Sequence, residues 1–129
     1  MKMKLAQRAA LWLPPLVLMA VIFALSAQPH LSSGLGVFDL IGRKIVHFLE
    51  YALLVFLWWR ALRTRMPEPQ AALTGFALAS LYAASDEWHQ SFVQGRHATP
   101  VDWAIDTAGA GAAALRLGRR RRVLGETAA

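Results

Sequence analysis

His47 stands three residues after Lys44, and Glu50 and Tyr51 stand three and four residues after His47. A helix over them would carry Lys44, His47 and either Glu50 or Tyr51 on one face. Further along, Asp86 and Gln90 are four apart, Glu87 and Gln90 three apart, and Asp102 and Asp106 again four apart, with Arg96 between the two groups. Such a set can do several kinds of chemistry. Glu87 or Asp86 can serve as general base, with Asp102 and His47 as further acid–base groups. Lys44 and Arg96 can bind a phosphate, the arginine bidentately. Glu50, Glu87, Asp102 and Asp106 can instead hold Mg²⁺ or a similar hard cation through oxygen. The candidate catalytic residues are therefore Glu87, Asp86, Asp102 and His47, and the candidate binding residues are Lys44, Glu50, Tyr51, Gln90, Arg96 and Asp106. No pattern specifies a particular metal or cofactor, and neither a Ser-His-Asp arrangement nor an HExxH motif is present. With no cysteine, thiolate nucleophiles, disulfides and zinc–thiolate sites are excluded.

The elements that must position these groups are apolar runs. Of the 129 residues, 56% are hydrophobic and the mean hydropathy is +0.35, which suits one domain. Four runs, at roughly 9–25, 45–62, 71–88 and 101–117, read as four membrane-spanning helices, with a basic tail over 118–129. The first contains Pro14 and Pro15, which a membrane helix tolerates. A rival reading makes it a cleaved signal peptide, with Lys2, Lys4 and Arg8 before it and the small residues Ala24 and Ser26 at its end. Positions 26–42 read as a loop, from Gln28-Pro29, Ser32-Ser33-Gly34 and Gly36. Met66-Pro67-Glu68-Pro69 reads as a tight turn. The third run spans only if its helix continues through Ser85 to Gln90. The fourth is rich in Ala and Gly, with Gly109 and Gly111 near its middle, and so suits close packing inside a bundle.

Charge then orients the bundle. Lys2, Lys4, Arg8, Arg60, Arg63, Arg65, Arg116 and Arg119 to Arg122 are eleven of the fourteen basic residues, and all fall on one side of the four runs. By the positive-inside rule that side, with both termini, is cytoplasmic. The opposite side takes all four histidines and six of the eight acids, so it is the side that carries candidate chemistry. The expected location is a cytoplasmic (inner) membrane, with the lipid bilayer as the first partner. A sequence pI near 10.8 could suggest nucleic acid, but the basic residues flank apolar runs and no basic face with aromatics emerges, so nucleic acid is not expected as a partner. Several residues also have plain structural readings. Arg43 and Lys44 can snorkel, His30, His89 and His97 suit loops, Asp86-Glu87 can cap a helix, Asp102 suits a helix N-terminus, and Trp58, Trp59, Trp88 and Trp103 fit an interfacial belt. Glu50 and Asp106 lie deepest and fit those readings least. A charge near a helix centre costs roughly 2.5–3.5 kcal/mol on insertion scales, so a shared polar cavity explains the acids better than separate exposures to lipid.

At these residues the chain resembles the VanZ-like family of small bacterial integral membrane proteins. The resemblance rests on Lys44-x-x-His47-Phe48-x-x-Tyr51, Asp86-Glu87-x-x-Gln90-x-Phe92, Gly95-Arg96, Asp102-x-x-x-Asp106-x-x-Gly109 and, after the first run, Ser26-Ala27-Gln28-Pro29. The pieces cover about residues 10 to 115 in family order. That family often has Asn at the position of Asp106 and a further Gly at that of Ala113. The resemblance implies a role like that of a protein linked to teicoplanin resistance, and it supplies no reaction.

Three functional classes follow. In the first, an outward-facing polar site binds an envelope amphiphile or a glycopeptide antibiotic without chemistry. In the second, the site is that of a membrane enzyme acting on a lipid headgroup or polyprenyl-linked cell-wall precursor by carboxylate acid–base or metal-assisted chemistry. The third, a transporter, would require oligomerisation to make a path from so short a chain. An enzyme requires Glu87, Asp102 and Lys44 to converge on one open cavity.

Overall fold

The computed structural model of the chain describes residues 3–28, 34, 36–95 and 99–127, with side chains through position 119. Four α-helices follow one another: α1 (Leu5–Ser26), α2 (Val37–Leu62), α3 (Glu68–Gln90) and α4 (Pro100–Thr127). No strand occurs among the described residues. The chain is all-α, and α2 is its centre: it packs against α4, α3 and α1, while α1 lies on α2 and α3.

All four helices are longer than the apolar runs predict, α2 and α4 most of all. α2 starts at Val37, so Asp39, Arg43 and Lys44 are helical and the expected loop over 26–42 is shortened at its C-terminal side. The apolar residues Val37, Phe38, Leu40 and Ile41 carry the helix through Gly42, and Gly36, at φ 58°, takes the N-cap in a backbone conformation that suits glycine. α4 continues through the expected basic tail to Thr127, since arginine is a good helix former. α3 runs on to Gln90, which its short apolar run required.

Close approach of the helices is built on small residues. Along α3, Ala71, Gly75, Ala79 and Ala83 are buried at four-residue intervals. A Cβ added at Gly75 would lie 3.2 Å from the Val55 carbonyl oxygen. Gly109 is tighter: its added Cβ would collide with the Phe48 carbonyl oxygen and lie 2.9 Å from the carbonyl carbon. Only a residue without a side chain lets α4 approach the α2 backbone this closely. These seams close around Ile22, Tyr51, Leu54, Val55, Ala79, Ala83 and Ala110.

The same helical faces then turn polar at one end. The buried α3 face that carries Ala79 and Ala83 continues to Asp86, Glu87 and Gln90, and the buried α4 face of Gly109 and Ala110 begins at Asp106. Helical period alone therefore forces these polar groups inside. Outside, the pattern is reversed. Leu13, Leu16, Val17 and Val21 of α1, Ile41, Ile45, Leu49 and Leu53 of α2, and Leu73 and Leu81 of α3 are exposed. Among the described residues, α1 is the one helix long and apolar enough by composition to cross a membrane.

α1 is tied to the bundle at both ends. Pro14 has no N–H, so the Ala10 carbonyl lacks its usual helical donor. Arg60 Nη2 of α2 supplies one at 2.9 Å. Trp12 meets Trp58 edge-on, Phe23 stacks on His89, and the Tyr82 hydroxyl donates to the Met19 carbonyl.

Candidate functional site

The polar end of the bundle contains a cavity of about 210 Å³ between α2, α3 and α4. Leu40, Arg43, Lys44 and His47 line it from α2, Glu87 and Gln90 from α3, Gly95 from the following turn, and Asp102, Ile105 and Asp106 from α4. Lys44, His47, Glu87, Gln90, Asp102 and Asp106 were all singled out by spacing, and the structure brings them together.

Two polar contacts cross from α2 to α4, the first of them an ion pair. Lys44 Nζ donates to Asp102 Oδ1 at 2.8 Å, with both side chains about one-third exposed. One turn deeper, His47 Nδ1 lies 3.2 Å from Asp106 Oδ1, and Asp106 is only 1% exposed. The ring is out of hydrogen-bond alignment, so neither Asp106 oxygen has a hydrogen bond. The four-residue step from Asp102 to Asp106 thus matches the three-residue step from Lys44 to His47 across the Gly109 seam. Asp102 is held further by a reciprocal pair at the start of α4. Thr99 Oγ1 donates to Asp102 Oδ2 at 2.7 Å, and the Asp102 backbone N–H donates to Thr99 Oγ1 at 3.3 Å.

Behind the cavity, α1 and α3 share a buried network. Ser26 Oγ donates to Asp86 Oδ2 at 2.8 Å, and Gln90 Nε2 donates to Ser26 Oγ at 3.1 Å and to Asp86 Oδ2 at 3.3 Å. Ser26 makes α1 part of this polar centre, so a bundle without α1 would leave Asp86 and Gln90 short of a partner.

Glu87 resembles Asp106 in the state of its carboxylate oxygens. It is 8% exposed, and both carboxylate oxygens are buried without a hydrogen bond of normal geometry. The Thr99 backbone amide faces it without reaching that geometry, and Asp102, Asp106 and Asp86 are close enough to repel it.

Other candidate residues fall elsewhere. Glu50 is half-buried and opens into a second cavity of about 300 Å³ toward α1, lined also by Ile22, Ser26, Phe38 and His47. Tyr51, and not Glu50, takes the buried face with Lys44 and His47: it is fully buried in the core. It lines neither of these two cavities. Asp86 is engaged with Ser26 and Gln90 behind the main cavity. Arg96, His30 and His97 lie outside the described residues. No group of three or more His, Asp or Glu side chains among the described residues is placed to hold one metal ion. The expected set of Glu50, Glu87, Asp102 and Asp106 is divided, with Glu50 lining the second cavity and the other three the first. His89 is helical and stacked on Phe23, so it is not a loop residue. In sequence Thr99 or Pro100 reads only as the start of the fourth helix, although the three-residue spacing of Thr99 to Asp102 is that of a capping box. Ser26 has no partner within its own stretch of sequence, since Asp86 is sixty residues away.

The VanZ/LLP1 family model matches residues 4–117, a stretch that takes in all of this geometry. The chain belongs to the VanZ/LLP1 family. No curated protein and no solved structure matches it. Membership and the one strongly apolar helix are consistent with a membrane protein. In this VanZ/LLP1 chain Glu87, Asp102 and Lys44 all line the one cavity. Lys44 and Asp102 are occupied with each other, which leaves Glu87 and Asp106, among the described residues, as the carboxylates that line the cavity without a hydrogen bond.

Proposed function

We propose that this VanZ/LLP1 protein is a multi-pass protein of the bacterial cytoplasmic membrane, with both termini cytoplasmic, and that its α2–α3–α4 cavity binds the polar head of an envelope amphiphile at the outer leaflet. The observation that carries the reading is a bundle with an apolar exterior and a polar cavity at one end. In water, contiguous exposed apolar surface on this scale marks an interaction face. In a bilayer it is the ordinary lipid-facing surface, and acids are then placed inside and paired. The end with Lys4, Arg8, Arg60 and Arg63 would face the cytoplasm, leaving the cavity at the opposite headgroup level.

Cavity size favours a headgroup over a whole antibiotic. Enclosing a drug-sized ligand takes about 300–1,000 Å³, whereas this cavity offers about 210 Å³. A glycopeptide of the teicoplanin type would engage it only through a projecting polar group, which keeps a resistance role within reach of the same site. The chemistry proposed is binding chemistry: the Lys44–Asp102 ion pair and the His47–Asp106 contact join the walls, and Glu87 and Asp106 keep oxygens without a hydrogen bond for the guest.

Two measurements test the reading. Protein purified in detergent and analysed by native mass spectrometry should retain lipid, and Ile105→Trp, which fills the cavity wall, should retain much less at equal thermal stability. Equal retention by both proteins contradicts the site. For topology, a cysteine at position 33 should react with an impermeant thiol reagent in intact cells and one at position 127 should not; labelling at 127 from outside sinks the orientation.

A further inference from the structure

We propose that the guest of this cavity presents a primary ammonium group, with the Glu87 carboxylate as its partner and Asp106 behind it. This rests on the headgroup-binding reading and names the chemistry of the head.

On the cavity wall, Lys44 Nζ donates one N–H to Asp102, Gln90 Nε2 donates to Ser26 and Asp86, and Arg43 Nε donates to the Asp39 carbonyl at 3.4 Å. The buried lining atoms without a hydrogen bond are all acceptors, namely both oxygens of Glu87 and both of Asp106. Glu87 is more than nine-tenths buried, and Asp106 has the His47 Nδ1 as its neighbour at 3.2 Å. Buried carboxylate oxygens are costly unless a donor or a positive charge meets them. An ammonium brings both in a compact group with three N–H donors. A phosphate alone would face the same oxygens with like charge. A quaternary ammonium brings charge without donors. A zwitterionic head fits best, with its amine inward and its phosphate toward Lys44 and Arg43 at the partly exposed rim.

The test uses the full chain in detergent and native mass spectrometry with three dioleoyl lipids: phosphatidylethanolamine, phosphatidylcholine and phosphatidylglycerol. We expect the ethanolamine lipid to be retained about tenfold over choline, the scale of one charge-assisted hydrogen bond. Glu87→Gln should bring that ratio below about twofold while a thermal melt remains cooperative. Choline or glycerol lipid retained as well as ethanolamine lipid by the native protein overturns the proposal, and needs no variant to do so. A Glu87→Gln protein that folds and keeps the tenfold preference also overturns it. Retention of all three lipids alike leaves the headgroup reading standing, whereas no retention beyond the Ile105→Trp level removes that reading itself. Soluble phosphoethanolamine is the competing arm. Displacement only at large molar excess supports an acyl-anchored amine. Displacement at equal concentration supports the amine and assigns it to a free molecule, against the amphiphile source.

Discussion

Replacing Gly109 with alanine tests whether the cavity depends on the α2–α4 seam. The added methyl would collide with the Phe48 carbonyl oxygen and lie 2.9 Å from its carbon and 3.0 Å from the Phe48 Cα. Carbon atoms pack at about 3.5–4.0 Å, so the two helices must part by roughly 0.5–1 Å. All three obstructing atoms are helical backbone and cannot swing aside as a side chain would. Overpacking of this kind costs about 1–3 kcal/mol. Better helix propensity of alanine returns roughly 0.5–1 kcal/mol, so destabilisation wins. Gly111→Ala is the control on the same helix: its methyl would meet only Phe76 Cε2, at an ordinary 3.6 Å. There the propensity gain should stand nearly alone, so the two alanine variants should differ by about 2 kcal/mol. Parting the helices also stretches the Lys44–Asp102 contact beyond its 2.8 Å, so Gly109→Ala should lose lipid retention as well. Thermal unfolding in detergent, read by size-exclusion recovery after heating, gives the stability order, and native mass spectrometry gives retention. A Gly109→Ala protein as stable as wild type, or one no less stable than Gly111→Ala, would refute the seam argument.

Lys44→Gln should cost no more than about 1 kcal/mol, because the Lys44–Asp102 pair is about one-third exposed and solvent screens it; a melt showing a much larger loss means the pair is structural. Asp86→Ala should cost about 1–3 kcal/mol by leaving Ser26 and Gln90 without their acceptor, and Asp86→Asn should cost less because one oxygen remains. Equal melting temperatures for the Asp86 pair of variants would show that the network adds nothing to stability.

Much of this architecture is legible along the chain because it depends on period and composition. Four apolar runs separated by turn formers specify four helices. The i, i+3 and i+4 spacings put Lys44 with His47, and Asp102 with Asp106, on common faces. Family motifs at those same positions were readable for the same reason: each lies within one helical turn or two. Boundaries were less legible. Gly42 and Gly36 look alike as loop residues in sequence, yet Gly36 caps α2 while Gly42 lies within it, because the apolar residues on either side of Gly42 favour continuation.

What only the tertiary structure decided is which face meets which. Local spacing allowed either Glu50 or Tyr51 to accompany Lys44 and His47. The rotation of α2 imposed by the Gly109 seam selected Tyr51 for the core and turned Glu50 toward α1. Ser26 and Asp86 are sixty residues apart, and nothing local links a hydroxyl at the end of α1 to a carboxylate near the end of α3. Nor does spacing reveal that Asp102 has Lys44 and Thr99 while Glu87 has no hydrogen bond of normal geometry. Pairing of charges is a property of two surfaces in contact. One helix's sequence determines its own polar stripe, but the rotation and depth at which neighbouring stripes meet are set by the packing of small residues between them.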